Sequence, residues 1–223
     1  MPDQGISLVQ DELLWLAQTL AAAGCREIHY GIESGNQEII DRVGKHITLE
    51  QVRNAISWTV AAGIRGKGYF MLGLPGDTGE TMEQTIQFAT SLDLDDAMFS
   101  LTTPFPGTRM WDDLVTMSPE TEFNHDFSQA YYYNSYTEEI APFLNVSEVN
   151  DTRLSELALQ ARARFDEGKR KRKYQARLGQ HLGAFTWHLS RLRSARAVGR
   201  WLLDRPAVSH LIQLREDRTP TWT

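Results

Sequence analysis

The chain has 223 residues, 41% apolar and 23% charged, enough for one core and an appendage. Its longest apolar runs fall far short of a membrane span and no charged-then-apolar leader opens it, so it reads as soluble and cytoplasmic; the single Cys25 excludes an internal disulfide and any cysteine-only metal or cluster site, and the six histidines show no ligand spacing. The net charge of −6 is uneven, −15 over residues 1–150 and +9 over 151–223, which marks the C-terminal third as a different kind of segment.

In chain order, Ser7 and Gln10 make a capping box, with Leu13, Leu16, Ala17 and Leu20 at helical spacing behind it and Gly24 as the stop. Residues 27–32 read as a short strand. Glu33-Ser34-Gly35 follows as a polar turn, and residues 36–43 as a short helix. Thr48 and Gln51 form a second capping box ahead of the stripe Val52, Ala55, Ile56 and Val60, which Gly63 ends. Tyr69 to Leu72 is an apolar run after Gly66 and Gly68, which fits a strand covered on both faces. Gly73, Pro75 and Gly76 stop it. Asp77, three residues before Glu80, then reads as an N-cap, with Met82, Ile86, Ala89 and Leu92 as the helix's apolar positions. Residues 97–103 are a third strand, closed by Pro104-Phe105-Pro106-Gly107-Thr108.

Strands spaced roughly 30 to 40 residues apart with helices between them carry the rhythm of a parallel α/β sheet. Three strands do not close a β/α barrel, and the functional edge of such sheets is where the strands end. Residues 109–147 read as irregular, with Phe123, Phe127, Tyr131, Tyr132, Tyr133 and Tyr136 among them. Asn150 or Asp151 caps a helix bearing Leu154, Leu157, Ala158, Ala161 and Phe165 on one face. A basic tract, Lys169 to Lys173, leads into an Arg- and Trp-rich stretch up to Trp201, and Arg218 to Thr223 reads as frayed.

Three motifs, in order and register, carry a resemblance. They are Gly31-Ile32-Glu33-Ser34-Gly35 with Lys45, Thr48, Glu50 and Gln51; Gly68-Tyr69-Phe70-Met71-Leu72-Gly73-Leu74-Pro75-Gly76-Asp77-Thr78 with Glu80 and Thr81; and Pro104-Phe105-Pro106-Gly107-Thr108. The set resembles the second half of a radical S-adenosylmethionine (SAM) barrel, closest in look to the branch that carries a cobalamin-binding domain. The resemblance implies a partial (β/α) barrel over residues 1–115 and an irregular, then helical and basic, extension over 116–223. It also implies SAM as cofactor, with a 4Fe-4S cluster and cobalamin in the intact enzyme. The chemistry implied is that of the 5′-deoxyadenosyl radical, leading to methyl transfer or ring rearrangement of a small-molecule substrate. The family's Cys-x-x-x-Cys-x-x-Cys motif is absent from this sequence. The chain therefore reads as a C-terminal portion, inactive alone, that needs a cluster-bearing half, or else as a non-catalytic half-barrel that assembles with a cluster-bearing chain.

For the site, the resemblance implies that Glu33, Ser34 and Gly35 hold polar ends of SAM. Met71, Gly73, Pro75 and Gly76 would lie along adenine, with Pro104 and Gly107 at its edge. Each residue also has a plain structural reading: Glu33 as a helix cap, Ser34 as a turn residue, the glycine loop as an ordinary βα turn, and 104–108 as a rigid turn. Cys25 reads as a structural thiol, Lys45 as within reach of a ligand but more plainly a solvated lysine, and His29 as a packed histidine. The basic tract reads as a solvated helix face rather than a nucleic-acid or membrane surface. An open sheet edge implies self-association of the isolated chain.

Overall fold

The computed structural model describes residues 4–117, 126–127 and 141–191. The predicted Phe123, Tyr131–Tyr133, Tyr136, Trp201 and Arg218–Thr223 lie outside the described residues. Two compact units are present, 1–169 and 170–223. The division read from the sequence at 115/116 falls inside the first.

The first unit opens with helix α1, Gln4–Ala22. This helix already includes Ser7, so the predicted capping box lies inside it. At its other end Gly24 takes φ +97, and the Cys25 amide reaches back to the Leu20 carbonyl, the wrap-around C-terminal turn that glycine permits. Strand β1, Glu27–Glu33, leads to α2, Gln37–Arg42, where the Asn36 side chain accepts from the Ile39 amide. Thr48 and Gln51 form the expected reciprocal capping box on α3, Leu49–Ala61. Strand β2, Arg65–Leu72, is followed by α4, Gly79–Ser91, then by β3, Asp96–Leu101, and α5, Arg109–Met117. Helix α6, Asp151–Leu178, has its first turn capped by the Asn150 side chain, which accepts from the Arg153 amide. Helix α5 occupies part of the stretch read as irregular. Its start signal is Thr108, whose hydroxyl accepts from the Trp111 amide at 3.3 Å. No helix among the described residues is long and apolar enough to cross a membrane.

The three strands form one parallel sheet in the order β1-β2-β3. Strand β2 alternates in burial: Gly66, Gly68, Phe70 and Leu72 are buried, whereas Lys67, Tyr69 and Met71 are partly exposed. The reading of a strand covered on both faces is thus corrected, since one face is covered and the other is open among the described residues. Gly66 and Gly68 caused the misreading. They are strand residues rather than strand boundaries, and a Cβ on Gly68 would stand 2.7 Å from Leu94 Cδ1 and 3.2 Å from Ile32 Cδ1. Their missing side chains let the core close over the strand.

The covered face carries the core. Phe70 stacks on Phe99 with ring centroids 5.3 Å apart, and Phe99 meets Phe165 edge-on at 6.4 Å. Met82, Ile86 and Ala89 of α4 and Leu154, Leu157, Ala161 and Phe165 of α6 complete it, as the sequence periodicity predicts. Helix α6 runs back along this face. Its Leu154 lies against Gly73 beyond the end of β2, whereas Arg162 pairs with Asp96 at the start of β3 at 2.8 Å. Lys169 donates to the Asp95 carbonyl. In the second unit, helix α7, Gln180–Arg191, places Trp187 beside Tyr174 and the guanidinium of Arg170.

Glu83 of α4 takes both amino groups of Arg164 of α6, at 2.6 and 2.5 Å. The Arg164 hydrogen bonds hold the Glu83 carboxyl below its ordinary 4.5. A carboxylate lowered in the folded state stabilises above its unfolded pKa and loses that contribution as the pH falls through its folded value. Glu83→Gln is therefore expected to cost on the order of 1 kcal/mol at pH 7 and little at pH 3, read from urea midpoints. Equal losses at both pH values would contradict the pairing.

Candidate functional site

The parallel register brings the C-terminal ends of β1, β2 and β3 to one edge of the sheet. At the β1 end, the pairing shifts between Gly31 and Glu33, and Glu33 takes φ +69, the one positive-φ residue other than glycine among the described residues. A left-handed glutamate costs roughly 1–2 kcal/mol of backbone energy, and such strain gathers at functional sites. Its carboxylate meets Lys45 Nζ at 2.6 Å, with both side chains about two-thirds buried. The pair lies above Gly31, where a Cβ would stand 2.9 Å from both charged atoms. Lys45, read as a solvated lysine, is thus a member of the site edge.

Ser34 and Gly35 turn the other way. Ser34 is buried, hydrogen-bonded to Thr85 at 3.1 Å, and accepts from the Asn36 amide. The Gly35 amide donates to the Thr85 hydroxyl, and a Cβ there would stand 2.5 Å from Phe88 Cβ. Both residues dock the β1 loop onto α4.

At the β2 end, Gly73 and Gly76 have φ +84 and +80. Asp77 is buried and does not cap α4; Thr78 does, in a capping box with Thr81. The Asp77 carboxylate instead accepts from the Gly73 and Leu74 amides at 3.1 and 3.0 Å and from the Thr81 hydroxyl at 2.7 Å. Burial raises its pKa against those bonds. Asp77 fixes the loop's shape. The Arg42 guanidinium fills the space where a Gly76 Cβ would stand, 1.7 Å from Nη1, and the φ of +80 is what favours glycine there. Met71 and Pro75 remain partly exposed.

At the β3 end, the Thr102 amide bonds the Leu72 carbonyl at 2.9 Å, yet its buried hydroxyl has no partner among the described residues. The residues 104–108 read from the sequence follow directly. Pro104 is buried, and Gly107 is exposed with φ +85 in a turn closed by Thr108 on Phe105. Phe105, Trp111 and Phe143 gather around Phe127. Sequence reasoning missed Thr102, for which only its place at a strand end was a signal.

His29 is not packed. Its side chain is 48% exposed on the open face, bonded to Glu27 at 2.6 Å and to the Tyr69 hydroxyl at 3.1 Å. Cys25 stands ahead of β1, at the sheet edge opposite the candidate site. No group of histidine, cysteine and acidic side chains able to hold a metal occurs among the described residues.

A parallel sheet with ligand-ready loops along one edge defines the α/β class to which cofactor-binding barrels and open sheets belong. Residues 11–89 match the Radical SAM superfamily, a stretch that holds the first two of the three motifs and ends before Pro104–Thr108. A 97-residue stretch is 39% identical to an uncharacterized methyltransferase of Pyrococcus horikoshii, covering 44% of this chain and 21% of that protein. A 92-residue stretch is 33% identical to the anaerobic magnesium-protoporphyrin IX monomethyl ester cyclase of Rubrivivax gelatinosus, covering 41% and 17%. Among solved structures, the radical SAM methyltransferase TsrM of Kitasatospora setae, with cobalamin and a 4Fe-4S cluster bound, is 26% identical over 49% of this chain and 22% of that one, at a TM-score of 0.44. The matches span about a fifth of the length of these curated relatives.

The left-handed backbone of Glu33 gives a test of the edge. Glu33→Val is expected to be less stable than Glu33→Gly by about 1–2 kcal/mol, since both remove the carboxylate and only valine keeps the strain. Equal denaturation midpoints would contradict the geometry.

Proposed function

We propose that the chain is the SAM-binding second half of a radical SAM barrel, with residues 1–115 as the partial barrel and 116–223 as its extension. The observation that carries the reading is the edge itself. Along it lie the strained Glu33 paired with Lys45, the positive-φ turns at Gly73 and Gly76, and the buried hydroxyl of Thr102, unpartnered among the described residues.

These residues fit SAM. Its methionine end is a zwitterion, and the Glu33–Lys45 pair matches it charge for charge. Glu33 accepts from the ammonium and Lys45 donates to the carboxylate, so one internal ion pair is exchanged for two charge-assisted contacts. Gly73 and Gly76, whose Cβ positions are filled by Leu154 and Arg42, set the turn that brings Met71 and Pro75 to an apolar side of adenine, and Thr102 supplies a hydrogen bond that no described residue takes up. Pro104 and Gly107 shape the rim. Ser34 and Gly35 act from behind by fixing the Glu33 turn to α4.

A 4Fe-4S cluster does not fit this chain's residues, since its one cysteine stands at the far edge of the sheet. In the intact enzyme, the cluster with SAM supplies 5′-deoxyadenosyl-radical chemistry. With cobalamin it serves methyl transfer or ring rearrangement of a small-molecule substrate. The cluster half comes from another part of a longer chain or from a partner chain.

The β1 side of the sheet supports a join. Among the described residues β1 has no strand neighbour on its outer side. A cleft of about 1060 Å³ flanks it, lined by Leu16, Leu20, Ile28, Tyr30 and Trp58. The same cleft favours the second reading, a non-catalytic half-barrel assembled on a cluster-bearing chain or self-associating through that edge.

With the cluster half supplied, Glu33→Ala and the unstrained Glu33→Gly are both expected to weaken SAM binding about tenfold or more, with the far-ultraviolet spectrum unchanged. Unchanged affinity, measured by equilibrium dialysis, would remove Glu33 from the site.

A further inference from the structure

The open face of the sheet carries a second constellation. The Tyr69 hydroxyl stands 3.1 Å from His29 Nδ1, and His29 Nε2 stands 2.6 Å from Glu27 Oε1. With Nε2–H donating to the carboxylate, Nδ1 is the acceptor for the phenol proton. This is the carboxylate–imidazole–hydroxyl order by which an oriented base activates a hydroxyl.

The chain of groups has a direction. Glu27 begins β1 at the N-terminal edge, and its other oxygen meets Arg65 at 3.2 Å. Tyr69 pairs in register with Gly31, the residue over which Glu33 and Lys45 meet. The three groups therefore lead from the far rim up the sheet face to a point beside the candidate cofactor edge. The charged neighbours on this face are also in place. Lys67 Nζ stands 5.6 Å from the Tyr69 ring centroid and 3.0 Å from Asp96, which Arg162 also holds. The His29 hydrogen bond, with Arg65 and Lys67 nearby, keeps the Glu27 carboxyl below its ordinary 4.5, so it stays ionised opposite an imidazolium.

We propose that Glu27, His29 and Tyr69 form a proton relay, and that Tyr69 exchanges a proton with a small molecule presenting a hydroxyl or enol oxygen to the open sheet face. In one direction the substrate O–H proton passes to the Tyr69 oxygen as the phenol proton passes to His29 Nδ1. The imidazolium formed is held by Glu27, and the substrate oxyanion lies beside the Lys67 ammonium. One proton moves, and no electrons change hands. The relay does not rest on SAM binding.

Acetylation by N-acetylimidazole, followed tyrosine by tyrosine in the whole chain by peptide mass mapping, tests the relay. Tyr69 is expected to react about tenfold faster than the exposed Tyr174. His29→Gln should remove most of that advantage while leaving Tyr174 unchanged. Glu27→Gln, which keeps the imidazole and removes the carboxylate charge that faces His29 and Arg65, should lower the Tyr69 rate about threefold and move its pH profile. A merely structural ladder would leave Tyr69 no faster than Tyr174, or equally reactive in both variants. Either result would overturn the proposal.

Discussion

The fold depends on how closely helices lie over one strand. Strand β2 presents Gly66, Gly68, Phe70 and Leu72 to its covered face. The two glycines leave space that Leu94 fills, and Phe70 anchors a run of aromatic rings through Phe99 to Phe165 on α6. Because α6 is held at Gly73 by Leu154 and at Asp96 by Arg162, it spans β2 and β3 from one edge to the other. Burial of this face sets the strand register. The register in turn decides which loops share the C-terminal edge.

That edge concentrates local cost. It holds a left-handed glutamate, a buried aspartate whose pKa is raised by desolvation, and a buried hydroxyl without a partner. Each cost is met differently. Glu33 is held by Lys45, and Asp77 is satisfied by two amides and a hydroxyl of its own loop. Thr102 is left unsatisfied among the described residues, and a buried polar group in that state costs about 1–3 kcal/mol. This pattern supports a binding edge rather than a plain set of βα turns.

Much of the fold was legible because it is written locally. The capping box at Thr48 and Gln51, the stripe on α4 and the buried face of α6 are all periodic within a few residues. Two of the misreadings come from contacts distant in sequence. Ser34 is buried by Thr85, and His29 is drawn out by Tyr69, partners that no spacing rule connects. Asp77 sits three residues before Glu80 as an N-cap would, but its loop folds back and uses the carboxylate itself. Helix α5 was hidden because Thr108 had already been taken into a turn motif, although the same threonine caps the helix. The strand-end loops were legible as a site through the family resemblance. The pairing of Lys45 with Glu33 and the place of Thr102 at this edge became visible only in three dimensions.

The most direct test of a SAM-binding edge is amide chemical-shift mapping of the chain on addition of S-adenosylhomocysteine, which keeps the adenosine and the zwitterionic end. The account predicts shifts confined to three stretches, 31–35 with Lys45, 71–76 and 102–107. Shifts elsewhere, or none at millimolar ligand, would contradict it.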